Sequence, residues 1–295
     1  MGPDPVTSTF ITAQDGLRLH VRAWGPRLAA LLPVVCLPGL ARTIADFETL
    51  ASALASGANG PRSVLALDLR GRGRSDYDRN PKNYNVQVEL ADVLAVLTAL
   101  AVDQAVFIGT SRGGILTMLL AVARPTALAG CVLNDVGPVI ETKGLMRIKS
   151  YVGKLPQVAS LHEAADVLRR LLAAQFPKLS DDDWVTFARR TFKDDGGRIV
   201  PDYDVRLGKT LAQIDPTRPV PALWKEFNAL ARVPLLVIRG GNSDILSRAT
   251  VAAMQTRHPA MEAVEVADQG HAPLLSDPAL IARIAAFAES CDARR

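Results

Sequence analysis

Cysteine is scarce in this chain: three residues in 295, Cys36, Cys131 and Cys291, an odd number without metal-ligand spacing. That excludes a disulfide framework and a cysteine-rich zinc site. Cys36 and Cys131 lie inside apolar runs and read as small core residues of a reducing compartment, so the expected location is cytoplasmic. An excess of one charge is also lacking, with 34 Lys and Arg against 30 Asp and Glu. The basic residues are scattered, which leaves no stripe to track a phosphate backbone and argues against nucleic acid as a partner. Long hydrophobic runs are missing as well. The longest early one, residues 28–37, is interrupted by Pro33 and is too short to span a bilayer. Met1-Gly2-Pro3-Asp4-Pro5 offers neither the basic nor the apolar part of a secretion signal, and Val6 stands where a myristoylation signal requires Ser or Thr. No internal repeat or low-complexity segment occurs.

What remains is an ordinary globular composition, 48% hydrophobic and 22% charged. Residues 9–13 and 17–24 flank Asp15-Gly16, an Asp-Gly pair that predicts an opening hairpin. Short runs rich in Val, Leu and Ile follow at 34–37, 64–67, 105–108 and 131–133, and continuous runs of this kind suit parallel strands buried on both faces. Between them, residues 44–55, 86–100 and 113–123 repeat apolar positions at three- and four-residue steps, the period of helices. Residues 56–61, Ser-Gly-Ala-Asn-Gly-Pro, read as a turn.

Beyond Gly137 the strand signals stop until 234–238 and 263–266, and the intervening stretch is helical and basic, with helices expected at 161–172 and 181–192. A last helix is expected at 278–289. Alternating strands and helices predict an α/β fold, a mostly parallel sheet with helices on both faces. Its core comprises residues 1–137 and 232–295, and residues 138–231 form an inserted helical cap. Trp184, Phe187, Tyr203, Trp224 and Phe227 are the large side chains available either to roof a pocket or to fill the cap's own core.

Gly109-Thr110-Ser111-Arg112-Gly113 is a G-x-S-x-G pentapeptide. Chance alone gives it to about one chain of this length in ten. Its context is more telling, because it lies where a buried strand ends and an apolar helix begins, the setting that lifts a serine above the sheet edge. A serine hydroxyl becomes a nucleophile only when a base takes its proton. Of four histidines, His20 sits within a strand, His162 in the insertion and His258 ahead of the last strand, whereas His271 follows that strand. His271 is therefore the candidate base, and the rate should fall in acid, where an imidazole is protonated.

These features resemble the α/β-hydrolase superfamily, in its esterase and lipase branch with a helical cap. The resemblance covers nearly the whole chain: Leu37-Pro38-Gly39-Leu40, the turn from Asp68 to Ser75, the serine motif, Gly240-Gly241-Asn242-Ser243-Asp244 and Gly270-His271 occur in the family's order. It implies that Ser111 is the nucleophile, that His271 is its base, and that the backbone N–H groups of Leu40 and Arg112 form an oxyanion hole. One departure is Pro38, where many relatives carry histidine; the implied donor is the following Leu40 backbone, so the hole survives. For the acid, Asp244 and Asp135 both stand just beyond a parallel strand and both precede His271. Asp244 matches the family's usual position and is the expected acid; Asp135 occupies the place, after the strand preceding the cap, that a minority of relatives use, but beside Asn134, Gly137 and Pro138 it reads as part of a structural turn. The Arg112 side chain could reach a substrate carboxylate or pair with an acid at the rim. Asp68, Arg70, Arg72, Arg74 and Asp76 read as salt bridges that shape the pocket rim.

The implied activity is hydrolysis of small, apolar carboxylic esters through an acyl-enzyme, with no cofactor and no metal. Lactonases, hydrolases of carbon–carbon bonds in vinylogous diketones and cofactor-free haloperoxidases use the same triad in this superfamily. Relatives that open epoxides or remove halide carry an aspartate at the elbow, so Ser111 argues against both. A non-catalytic small-molecule receptor is the alternative of another class.

Overall fold

The computed structural model describes residues 6–294 apart from 58, 59, 213, 216 and 219. Residues 1–5, and Ala58 and Asn59 of the expected turn, lie outside the described residues. The chain opens with β1 (Thr7–Thr12) and β2 (Arg18–Trp24), paired antiparallel around a turn in which Gly16 takes φ +85°. Next come β3 (Val34–Leu37), α1 (Glu48–Ala55), β4 (Val64–Leu67), α2 (Val86–Ala99), β5 (Ala105–Thr110), α3 (Arg112–Ala123) and β6 (Leu128–Asn134). A long segment then runs through α4 (Thr142–Tyr151), α5 (Leu161–Leu172), α6 (Asp181–Thr191), β7 (Phe192–Asp195), β8 (Arg198–Pro201) and α7 (Trp224–Asn228). β9 (Leu235–Gly240), α8 (Arg248–Arg257), β10 (Glu262–Val266) and α9 (Pro278–Asp292) complete the chain.

Eight strands form one sheet in the order β1-β2-β4-β3-β5-β6-β9-β10; β2 runs antiparallel to both its neighbours and every other pairing is parallel. The continuous apolar runs serve this arrangement directly. Val34, Cys36, Val106, Ile108, Leu236 and Ile238 pack with Leu50 of α1 and with Ile284 and Phe287 of α9. Their neighbours along the strands, Val35, Leu37, Phe107, Leu133 and Val237, pack on the other face with Val93, Leu116 and Met254 of α2, α3 and α8. Each such side chain contributes about 1.5–3 kcal/mol by leaving water, so both faces of the sheet are anchored. The thiols of Cys36 and Cys131 are free and buried in these layers, and burial pushes both well above the ordinary thiol range. Among the described residues no helix is long and apolar enough to cross a membrane.

The segment between β6 and β9 departs from the all-helical expectation through the β7–β8 hairpin, turned by Gly196 and Gly197 at φ +62° and +86°. Lys193, Asp194 and Asp195 give β7 no apolar alternation, so nothing in its side-chain pattern marks a strand. α5 and α6 pack through Leu168, Leu172, Trp184 and Phe187, with Phe176 and Phe192 joining from the flanking chain. Phe227 belongs instead to the core on the α3 side of the sheet, and Trp224 packs against that core from its edge.

Candidate active site

Ser111 is the single residue between β5 and α3, held at φ +51° and ψ −111°. Only glycines permit the turn around it. A Cβ on Gly113 would stand 2.0 Å from the Leu37 carbonyl oxygen, and one on Gly109 would stand 2.5 Å from the Gly113 backbone. The N–H groups of Gly114 and Ile115 donate to the Ser111 carbonyl at 2.9 and 3.1 Å, which starts the helix and leaves the hydroxyl above the sheet edge. A residue so placed stores backbone strain, a feature that concentrates at functional sites.

Ser111 Oγ lies 2.8 Å from His271 Nε2. The loop after β10 that carries His271 is tied down on both sides of the imidazole. The His271 N–H donates to Gln175 Oε1 at 2.9 Å, and Asn134 Nδ2 donates to the Pro273 carbonyl at 3.0 Å. Gln175, supplied by the segment between β6 and β9, also donates from Nε2 to the Asn242 carbonyl at 3.2 Å. The remaining histidines lie elsewhere. His20 is buried between Asp68 and Ser8, His258 meets the Leu230 and Val233 carbonyls, and His162 is exposed.

The carboxylate facing His271 is that of Asp135, a correction to the expectation that Asp244 stands there. Asp135 Oδ2 lies 2.8 Å from His271 Nδ1. It is fully buried at the end of β6, in a left-handed conformation (φ +56°) that aspartate tolerates better than most residues. The end of β9 and the loop after it hold Asp135 instead of supplying the acid: Gly240 N–H donates to its Oδ1 at 2.8 Å and Ser243 Oγ donates to its Oδ2 at 2.6 Å. Asp244 makes no hydrogen bond to His271 among the described residues; Arg147 of α4 binds it through two bonds of 2.7 Å. Burial acts to raise the Asp244 carboxyl, but Arg147 outweighs it and holds it below the ordinary carboxylate range.

The expected oxyanion residues are linked by a carboxylate that the sequence reading missed. Glu89 of α2 is fully buried and meets Arg112 Nε at 2.6 Å and Arg72 Nη1 at 2.7 Å. Arg72 Nε in turn donates to the Leu40 carbonyl at 2.7 Å, fixing the loop that passes Ser111. Burial acts to raise the Glu89 carboxyl, and the two guanidiniums overcome it and hold it below its usual value. The Arg112 side chain is thus spent on a buried acid beneath the site. Among the described residues no backbone carbonyl outside helices and strands accepts the Leu40 or Arg112 N–H, and Arg112, as first residue of α3, has no partner within the helix. The rest of the arginine-rich turn is a salt-bridge network. Arg70 binds Asp92, Asp78 and Asp15, Arg18 binds Asp76, and Asp68 accepts from the Ile44 and Arg74 N–H groups.

A cavity opens over Ser111 and His271, floored by Gly39, Leu40 and Asn134 and walled by Ile148, Tyr151, Leu168, Phe187 and Tyr203 from the segment between β6 and β9. Of the five large side chains considered for a roof, Phe187 and Tyr203 line the cavity. Trp184 is core of the segment itself. Among the described residues no group of three or more His, Cys, Asp or Glu side chains is placed to hold a metal ion.

Residues 34–284 match the alpha/beta hydrolase family. The chain is similar to the 3-hydroxybutyrate-oligomer hydrolase of Cupriavidus necator, 34% identical over 276 residues that cover 90% of each chain. It is also similar to the mouse sn-1-specific diacylglycerol lipase ABHD11, 27% identical over 252 residues that cover 82% of this chain and 76% of the lipase. Among solved structures, that of an alpha/beta hydrolase from Novosphingobium aromaticivorans superposes with a TM-score of 0.89 at 41% identity, covering 96% of this chain and 98% of the other. With the sheet order, the strained serine turn and these likenesses together, the chain belongs to the alpha/beta hydrolase family.

Proposed function

We propose that this chain is a carboxylic ester hydrolase that works through an acyl-enzyme on Ser111. The observation that carries the reading is the unbroken relay from Ser111 Oγ through His271 to Asp135, with 2.8 Å at each step. In the first half-reaction His271 Nε2 takes the hydroxyl proton while Oγ attacks the ester carbonyl carbon. The oxyanion is met by the N–H groups of Leu40 and Arg112, and such donors are worth about 3–4 kcal/mol in the transition state. His271 then passes the proton to the departing alcohol oxygen. Water repeats the sequence, releases the acid and restores the serine. Asp135 keeps Nδ1 protonated and stabilises the imidazolium without taking its proton. The Glu89 pairings with Arg72 and Arg112 support this reading by stiffening both oxyanion residues from behind.

Residues 138–231 serve as a cap over the cavity, and the apolar wall they supply suits esters of small acyl groups. The likeness to a hydrolase of 3-hydroxybutyrate oligomers, which are linear esters of a short hydroxy acid, points the same way. The three buried free thiols fit a reducing, cytoplasmic setting. The test is a panel of p-nitrophenyl esters from acetate to decanoate, run beside lactones. Short and middle-length esters should be cleaved with kcat/KM at least about tenfold above any lactone. Lactones cleaved faster than every ester would overturn the reading.

A further inference from the structure

The cavity wall is mostly apolar, yet it carries two arginines and a single carboxylate apart from the relay. Arg42 and Asp46 satisfy each other. Nε donates to Oδ2 at 2.8 Å and Nη2 to Oδ1 at 2.5 Å, while Arg42 Nη1 reaches Thr191 Oγ1 at 2.5 Å and its guanidinium lies over the Phe187 ring. Arg190, on α6 beside Thr191, is different. It is half-buried at the cavity, and among the described residues no carboxylate comes within 4.0 Å of its nitrogens; its hydrogen bond goes to Thr49 Oγ1 at 3.3 Å.

A guanidinium without a carboxylate partner, held at the solvent-exposed edge of an apolar cavity, is well matched to an anion of planar, two-oxygen geometry. Taking the ester-hydrolase reading of this cavity as its basis, we infer that Arg190 binds a free carboxylate on the substrate. The preferred substrates are then esters that keep an acidic end, of which a linear hydroxy-acid oligoester is the simplest case. The scissile ester lies against Ser111 and the apolar wall takes the carbon chain. Arg42 does not compete for the carboxylate, because Asp46 already occupies its fork.

Binding is measured by titration calorimetry on the Ser111→Ala protein, so that the ligand survives and the readout does not depend on turnover. The probes are the linear dimer of 3-hydroxybutyrate with its carboxylate free and the same dimer capped as the primary amide. The free acid should bind about ten- to a hundredfold more tightly than the amide, the range of a hydrogen bond to a charged group. Adding Arg190→Gln should bring that ratio close to one, while Arg190→Lys should keep part of it. Equal binding of acid and amide, a preference that survives Arg190→Gln, or no binding of either probe would overturn the inference. Turnover of the same pair by the native protein separates the two claims. A binding preference without any ester cleavage supports Arg190 and contradicts the hydrolase reading, whereas cleavage without preference contradicts Arg190 alone.

Discussion

Ser111→Ala should lower ester turnover by about a millionfold, the scale on which a serine hydrolase loses rate with its nucleophile. Among the described residues no other hydroxyl is hydrogen-bonded to His271 Nε2, so no neighbour is placed to inherit the role. The fold should scarcely respond. The elbow is set by Gly109 and Gly113 and by the backbone bonds from Gly114 and Ile115, none of which involves the hydroxyl. Losing one hydrogen bond to His271 costs about 1 kcal/mol, so the thermal midpoint should move by only a few degrees. Turnover with p-nitrophenyl butyrate and a melting curve check both halves. Retention of a tenth of native turnover would remove Ser111 from its role.

Asp135→Asn should cost about ten-thousandfold in kcat, because an amide cannot both accept from Nδ1–H and stabilise the imidazolium. Asp135 also holds Gly240 and Ser243, so an amide nitrogen here faces donors and some stability should be lost with the activity. Asp244→Asn is the matched control. It weakens a partly buried ion pair with Arg147 and should leave kcat within about tenfold of native, since its carboxylate does not touch His271. Steady-state kinetics on the two variants decide the matter. A large loss in Asp244→Asn beside a small one in Asp135→Asn would return the acid to the loop after β9.

Asp135 and Asp244 also mark where the sequence stops being legible. The sheet was readable because strands buried on both faces must be apolar throughout, as in Val34-Val35-Cys36-Leu37, and the elbow because its glycines are forced by backbone contacts. Both aspartates, however, follow parallel strands and both precede His271, so chain order carries no information about which carboxylate turns inward. That choice depends on Arg147 of α4, which draws Asp244 away, and on Ser243, which turns its hydroxyl to Asp135. Neither contact is local in sequence. α4 itself gave little warning, because Gly144 interrupts its pattern in order to pack against the Asp244 carbonyl oxygen. Glu89 left a signal that could have been used. It shares the buried stripe of α2 with Asp92, Val93, Val96 and Leu97, and two acids on an apolar face demand buried cations. The arginines of the turn after β4 were the available partners.

The central claim is that Ser111 is an activated nucleophile, and labelling with a fluorophosphonate, read by intact mass and by mapping the modified peptide, tests it most directly. The native protein should gain one phosphonyl group on Ser111, the Ser111→Ala protein should gain none, and Asp135→Asn should label far more slowly than Asp244→Asn. A native protein that stays unlabelled, or carries the label on another residue, would contradict the account.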